Sequence, residues 1–163
     1  VTGHPHDGSM TTETAPTTVS ARRAVQLSPR LRQHRCDVAR FALATGSPLN
    51  LDAITVVLAM RDAEASSSKV PLTRWTDRRI TALLWGDMLE WCAVNGVTEP
   101  GNVAESLWTY VTFLFEEGEL ASGSSRLAEL RLALVENAGI TRSGRARHPA
   151  GRRRGAEVRP VRA

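Results

Sequence analysis

Between Thr76 and Gly96 the apolar residues recur with the period of an α-helix. Ile80, Leu84, Met88 and Trp91 fall at i, i+4, i+8 and i+11, so a helix stacks them into one stripe, which Leu83, Trp85 and Cys92 widen. A strand would divide the same seven residues between its two faces. Gly96 marks the C-terminal stop, and a stripe this wide predicts a helix that is mostly buried.

The rest of the chain has to supply partners for that face, and it does so with the same period. Ser28 as N-cap, Pro29 at the first helical position and Gly46 as a stop define a first helix. Asn50 caps a second, in which Leu51, Ile54, Val57 and Leu58 share one face before "ASSSKVP" ends it. Asn102-x-x-Glu105 reads as a capping box ahead of Val103, Leu107, Tyr110, Val111 and Leu114, a helix that closes at Gly118. The fifth helix begins near Ser124 or Ser125, stacks Leu127, Leu130 and Leu134, and stops at Gly139. No segment alternates with period two over a strand's length, so the expected fold class is all-α: about five helices in a compact, bundle-like domain over residues 28–141.

At 163 residues and 42% hydrophobic composition, the chain has room for one such core plus tails. Residues 1–27, with "GSMTTETAPTTVS", lack apolar periodicity and are expected to be disordered. Val1 in place of a methionine points to a start codon read literally, with Met10 as the alternative start. No apolar run reaches the roughly 18 residues that a membrane span needs, and the N-terminus lacks the basic-then-apolar order of a secretory signal. A cytosolic location is expected.

Charge is unevenly placed. Residues 1–68 carry net +1, residues 69–141 net −4 and residues 142–163 net +7, so the basic pI describes the tail and hides an acidic body. The tail, "RSGRARHPAGRRRGAEVRPVR" with Arg152, Arg153 and Arg154 at its centre, is expected to be disordered. It reads either as a grip for nucleic acid or as a compositional residue of codon bias, since the chain has twenty arginines against one lysine.

Catalytic and metal patterns are missing from the sequence. Cys36 and Cys92 stand 56 residues apart outside any C-x-x-C pair and are expected to be buried thiols. His4 and His6 have no third ligand near them. Asp87 and Glu90 have no histidine or nucleophile in their segment and read as a solvated helix face. "GRRRG" lacks the Gly-Lys-Ser/Thr ending of a phosphate loop. The expectation is a protein without a cofactor, a metal or enzyme activity. Glu116 and Glu117 stand out for another reason: they crowd the last turn of a helix, where the macrodipole disfavours acids by about a few tenths of a kcal/mol each. Arg126 or Arg131 of the next helix is the internal candidate to offset them, and a basic protein partner at Glu116, Glu117 and Glu119 is the external one.

Trp85 and Met88 leading to Trp91-Cys92, then Gly96, Val103, Tyr110, Leu114, Gly118, Ser124-Ser125-Arg126, Leu130, Ala133-Leu134 and Gly139 follow an order and spacing that resembles the N-terminal core-binding domain of tyrosine recombinases and phage integrases. The resemblance covers residues 74–141 and its landmarks are mostly apolar. It implies a small helical module that clamps one side of a DNA duplex, with polar and basic residues near the start of the later helix touching phosphates. Those positions here are Ser124, Ser125, Arg126 and Arg131, with Arg78 and Arg79, beside Arg74, as cations that would have to share their face. The family's catalytic arginine, His-x-x-Arg pair and tyrosine nucleophile have no counterpart, since the one tyrosine, Tyr110, falls on a core stripe. The resulting expectation is non-catalytic DNA binding, as a remnant or accessory of a mobile element. The alternatives are a protein-interaction adaptor using the acidic surface, and a fragment with little function of its own.

Overall fold

The computed structural model describes residues 24–143. It contains α1 (Pro29–Thr45), α2 (Leu51–Ser68), α3 (Asp77–Ala82), a π turn (Leu83–Asp87), α4 (Met88–Asn95), α5 (Val103–Glu116) and α6 (Leu127–Ser143). The π turn joins α3 to α4 in one continuous rod, so five rods pack together and no strand occurs among the described residues. The all-α expectation holds. No helix among the described residues is long and apolar enough to cross a membrane.

The first two helices start as their caps dictate. Ser28 Oγ accepts from the Leu31 N–H at 3.3 Å ahead of Pro29, and the Asn50 side chain accepts from the Asp52 and Ala53 N–H groups. Residues 53–58 of α2 are all buried, so this part of the helix is enclosed almost all round, and Leu51, 46% exposed in its first turn, does not share the face of Ile54, Val57 and Leu58.

The stripe that opened the sequence reading is realised with a register change. Ile80, Leu83, Leu84, Met88 and Cys92 are buried, whereas Trp91 is only partly so and Trp85 is 53% exposed. A π turn holds an extra residue, which rotates everything after it by about 100° relative to an uninterrupted helix. That rotation brings Cys92 to the centre of the stripe and moves Trp91 to its flank. Trp85 leans on α6 instead, its Nε1 donating to Asn137 Oδ1 at 2.6 Å.

Two helix ends differ from expectation. Asn102 adopts a left-handed φ of 53° and its side chain caps nothing, so the capping box with Glu105 does not form; the Asn102 carbonyl instead accepts from both the N–H and the hydroxyl of Ser106. α6 begins at Leu127 and continues through Gly139 to Ser143, because one glycine costs a helix only about 1 kcal/mol relative to alanine. Arg142 and Ser143, assigned to the tail from sequence, are therefore helical. The N-terminal boundary also moves: Val25 and Leu27 pack against the core, so the segment expected to be disordered gives up its last four residues. The rest of that segment, His4, His6 and Met10 included, and tail residues 144–163 lie outside the described residues.

Candidate nucleic-acid interface

The core is built around an aromatic residue that periodicity does not mark. Trp75 lies in the turn before α3, has no solvent exposure and meets the Tyr110 ring edge-on at 6.0 Å. The guanidinium of Arg61, only 1% exposed, sits 5.1 Å from its ring centroid. Arg61 also pairs with Glu64 and donates from Nη2 to the carbonyls of Pro71 (3.0 Å) and Arg74 (2.9 Å). A buried charge with these partners fixes the course of the loop from Pro71 to Trp75.

That loop is stitched to the one before α6. The Ala121 N–H donates to the Thr73 carbonyl, the Ser125 N–H to the Trp75 carbonyl at 2.8 Å, and the Trp75 N–H to Ser124 Oγ at 3.1 Å. Ser125 Oγ accepts from the Asp77 N–H and donates to Asp77 Oδ1 at 3.0 Å. Arg74 closes the joint by donating from Nε to the Gly123 carbonyl at 3.2 Å. Its guanidinium lies where a Gly123 Cβ would meet it at 3.3 Å, and Gly123 has a φ of +81°, so the position favours glycine twice over.

Of the residues singled out from sequence, the joint gathers some and diverts others. Arg74, Arg78 and Arg126 are exposed on it: Arg74 contacts Gly123, while Arg78 and Arg126 directly follow the hydrogen-bonded pair Asp77 and Ser125. Ser124 and Ser125 are held by the joint itself. Arg79 points the other way, into an ion-pair network with Glu64 and with Asp87, whose Oδ2 is 3.0 Å from Arg79 Nη1. Asp87 is therefore a structural partner and not simply a solvated face. Arg131 lies 5.5 Å over the Trp108 ring. Arg152, Arg153 and Arg154 lie outside the described residues.

The corner's two acids are both engaged. Glu129 Oε2 accepts from the Arg126 N–H at 2.9 Å, and Asp77 accepts from Ser125. The Ser125 hydroxyl first, then the Arg78 N–H, hold the Asp77 carboxyl below the usual carboxylate range. Three exposed arginines thus stand on the joint beside two acids.

Beside this corner runs a cleft of about 810 Å³, lined by Arg30 and His34 of α1, Asp62 of α2, Thr73 of the joint and Glu119. His34 is half-buried: its Nε2 lies 3.2 Å from the buried Tyr110 hydroxyl and its Nδ1 3.8 Å from Glu119 Oε2. Burial pushes the imidazole below its ordinary value of 6.5, with Glu119 and Asp37 opposing the shift. At the end of α5, Glu116 and Glu117 are exposed, and among the described residues no ion pair joins either of them to Arg126 or Arg131. The two thiols also part company, with Cys92 buried and Cys36 exposed on α1.

Sequence reasoning passed over the basic character of α1, which carries Arg30, Arg32, Arg35 and Arg40 against one acid, Asp37. The signal was present but was averaged away when charge was counted over residues 1–68. No protein-family model, curated protein or solved structure matches this chain. What the fold and site define is a class only: an all-α domain with a basic, hydrogen-bonded corner.

Proposed function

We propose that the chain is a non-catalytic, cytosolic DNA-binding module of the kind that its resemblance to recombinase core-binding domains implies. The observation that carries the reading is the joint between the Thr73–Asp77 and Ala121–Ser125 segments, whose backbone carries exposed Arg74, Arg78 and Arg126, none of them in an ion pair among the described residues. Exposed guanidinium groups are suited to phosphate, whose oxygens match their planar fork. The described residues carry more acids than bases, so long-range attraction falls to the arginine-rich residues 144–163, and the corner orients what the tail attracts. Phosphate contacts of this kind set register and orientation and carry no base recognition of their own. Ser124 and Ser125 serve the interface by tying its two loops together through Trp75 and Asp77.

The test is a titration of the full chain against labelled duplexes of several sequences at two salt concentrations. The expected result is weak, sequence-tolerant binding, on the order of 10⁻⁴–10⁻⁶ M at physiological salt, that falls steeply as salt rises. An absence of binding even at low salt overturns the reading.

A second reading has one observation in its favour. Glu116 and Glu117 sit against the negative end of the α5 dipole, next to Phe115, which is 51% exposed; Arg131 lies over the Trp108 ring, and among the described residues no ion pair joins Arg126 to either acid. As a protein-interaction adaptor the chain would present these acids, with Glu119, to a basic partner. Replacing all three with glutamine would then abolish capture of that partner and leave the fold intact.

A further inference from the structure

Charge in the described domain is segregated more sharply than its total reveals. Residues 24–143 carry net −2, yet α1 alone carries +3, so the remainder carries −5. The cations of α1 are also largely free of structural duty. Arg35 reaches back to Thr55 Oγ1 at 2.9 Å, but Arg30, Arg32 and Arg40 are exposed. Arg32, Cys36 and Arg40 follow at i, i+4 and i+8 and form the centre of the solvent face, opposite the buried Leu31, Val38 and Ala42. The one acid of α1, Asp37, is shared between Gln33 and Arg40, in exposed contacts that a phosphate displaces readily. Acids of other elements lie to the flanks: Asp62 and Glu119 line the cleft with Arg30, and Asp52 and Glu99 line a second hollow with Arg35.

The position of α1 fits a continuous contact surface. Its N-terminal turn, with Ser28 and Arg30, shares one cleft with Pro71, Leu72 and Thr73, and Thr73 belongs to the joint that carries the basic corner. From Arg32 to Arg40 the helix rises about 12 Å, comparable to the width of the major groove, so the two ends of the stripe can meet phosphates on both walls.

We infer that the outer face of α1, centred on Arg32, Cys36 and Arg40, is a phosphate-contacting surface for duplex nucleic acid. The inference rests on the DNA-binding reading above and extends it to a helix outside the region of family resemblance. On a polyanion the domain orients with α1 and the basic corner inward.

Cys36 is a native reporter of this orientation, because the chain's other cysteine, Cys92, is buried. In full-length protein the rate of Cys36 alkylation by N-ethylmaleimide is measured with and without a 20-base-pair duplex, while the anisotropy of the labelled duplex reports binding in the same mixtures. The expected result is that bound duplex slows Cys36 several-fold, that high salt restores the free rate, and that Cys92 stays slow throughout. A duplex that binds yet leaves the Cys36 rate unchanged overturns the α1 surface and spares the DNA reading. An absence of bound duplex at low salt overturns both. Independently, the double substitution R32Q/R40Q should make the slope of log affinity against log salt shallower by about 2, since each phosphate contact contributes about 0.9. An unchanged slope in a helical, cooperatively melting variant is equally fatal to the surface.

Discussion

Arg61 and Arg79 on one side, and Arg74, Arg78 and Arg126 on the other, are the same residue type put to opposite uses within one stretch of the fold. Arg61 is buried against Trp75 and Arg79 is tied to Glu64 and Asp87, so their charge is consumed by the structure. The other three stand on a joint built from backbone groups and serine hydroxyls, and their charge faces solvent. The difference teaches that the count of cations in a helical domain says little about what it can grip. A buried arginine shapes the loop, and the loop in turn presents an exposed one.

This contrast can be broken most forcefully at Arg61. Arg61→Ala removes one of the two arginine partners of Glu64 and the donor to two loop carbonyls, and should cost about 3–5 kcal/mol in a denaturant melt. Trp75→Ala should cost a comparable amount, about 3–5 kcal/mol, by opening a cavity beneath the same loop; Trp85→Ala, at an exposed position, should cost far less. Gly123→Ala forces a side chain into a positive φ against the Arg74 guanidinium, and should lower stability by about 1–2 kcal/mol and displace Arg74. The His34 imidazole, held below 6.5 by burial, titrates in the unfolded chain before it does in the folded one. Stability should therefore be fully present above pH 6.5 and decline as pH falls from there toward the depressed folded value, and His34→Gln should remove that part of the decline. Smallest of all, E116Q/E117Q should raise stability by about a few tenths of a kcal/mol per site, because among the described residues no ion pair joins either acid to Arg126 or Arg131.

Much of the helical layout was legible in the sequence because caps and periodicity are local. Ser28, Asn50 and Gly96 act at their own helix ends, and Ile80, Leu84, Met88 and Cys92 reach the core. What escaped is non-local or depends on small register changes. The π turn demotes Trp91 although the residue pattern runs smoothly through it, and no spacing marks Trp75 as the buried tryptophan, since it lies in a turn. The candidate site was less legible than the fold. The recombinase resemblance implies Ser124 and Ser125 as phosphate contacts, but what their hydroxyls hold is a loop about 48 residues away in sequence. Arg79 resembles Arg78 in every local respect, and only the packing of α2 against the rod of α3 and α4 sends one inward and leaves the other free.

The most direct measurement compares the full chain with its R74Q/R78Q/R126Q variant, following thermal unfolding and duplex affinity as a function of salt. If exposed arginines on a preformed joint grip the nucleic acid, the variant should melt within a degree or two of the wild type, while its slope of log affinity against log salt becomes shallower by about 2–3. A duplex-binding wild type whose slope survives the triple substitution, or a variant that unfolds like Arg61→Ala, would contradict the division of labour between the buried arginines and the exposed ones.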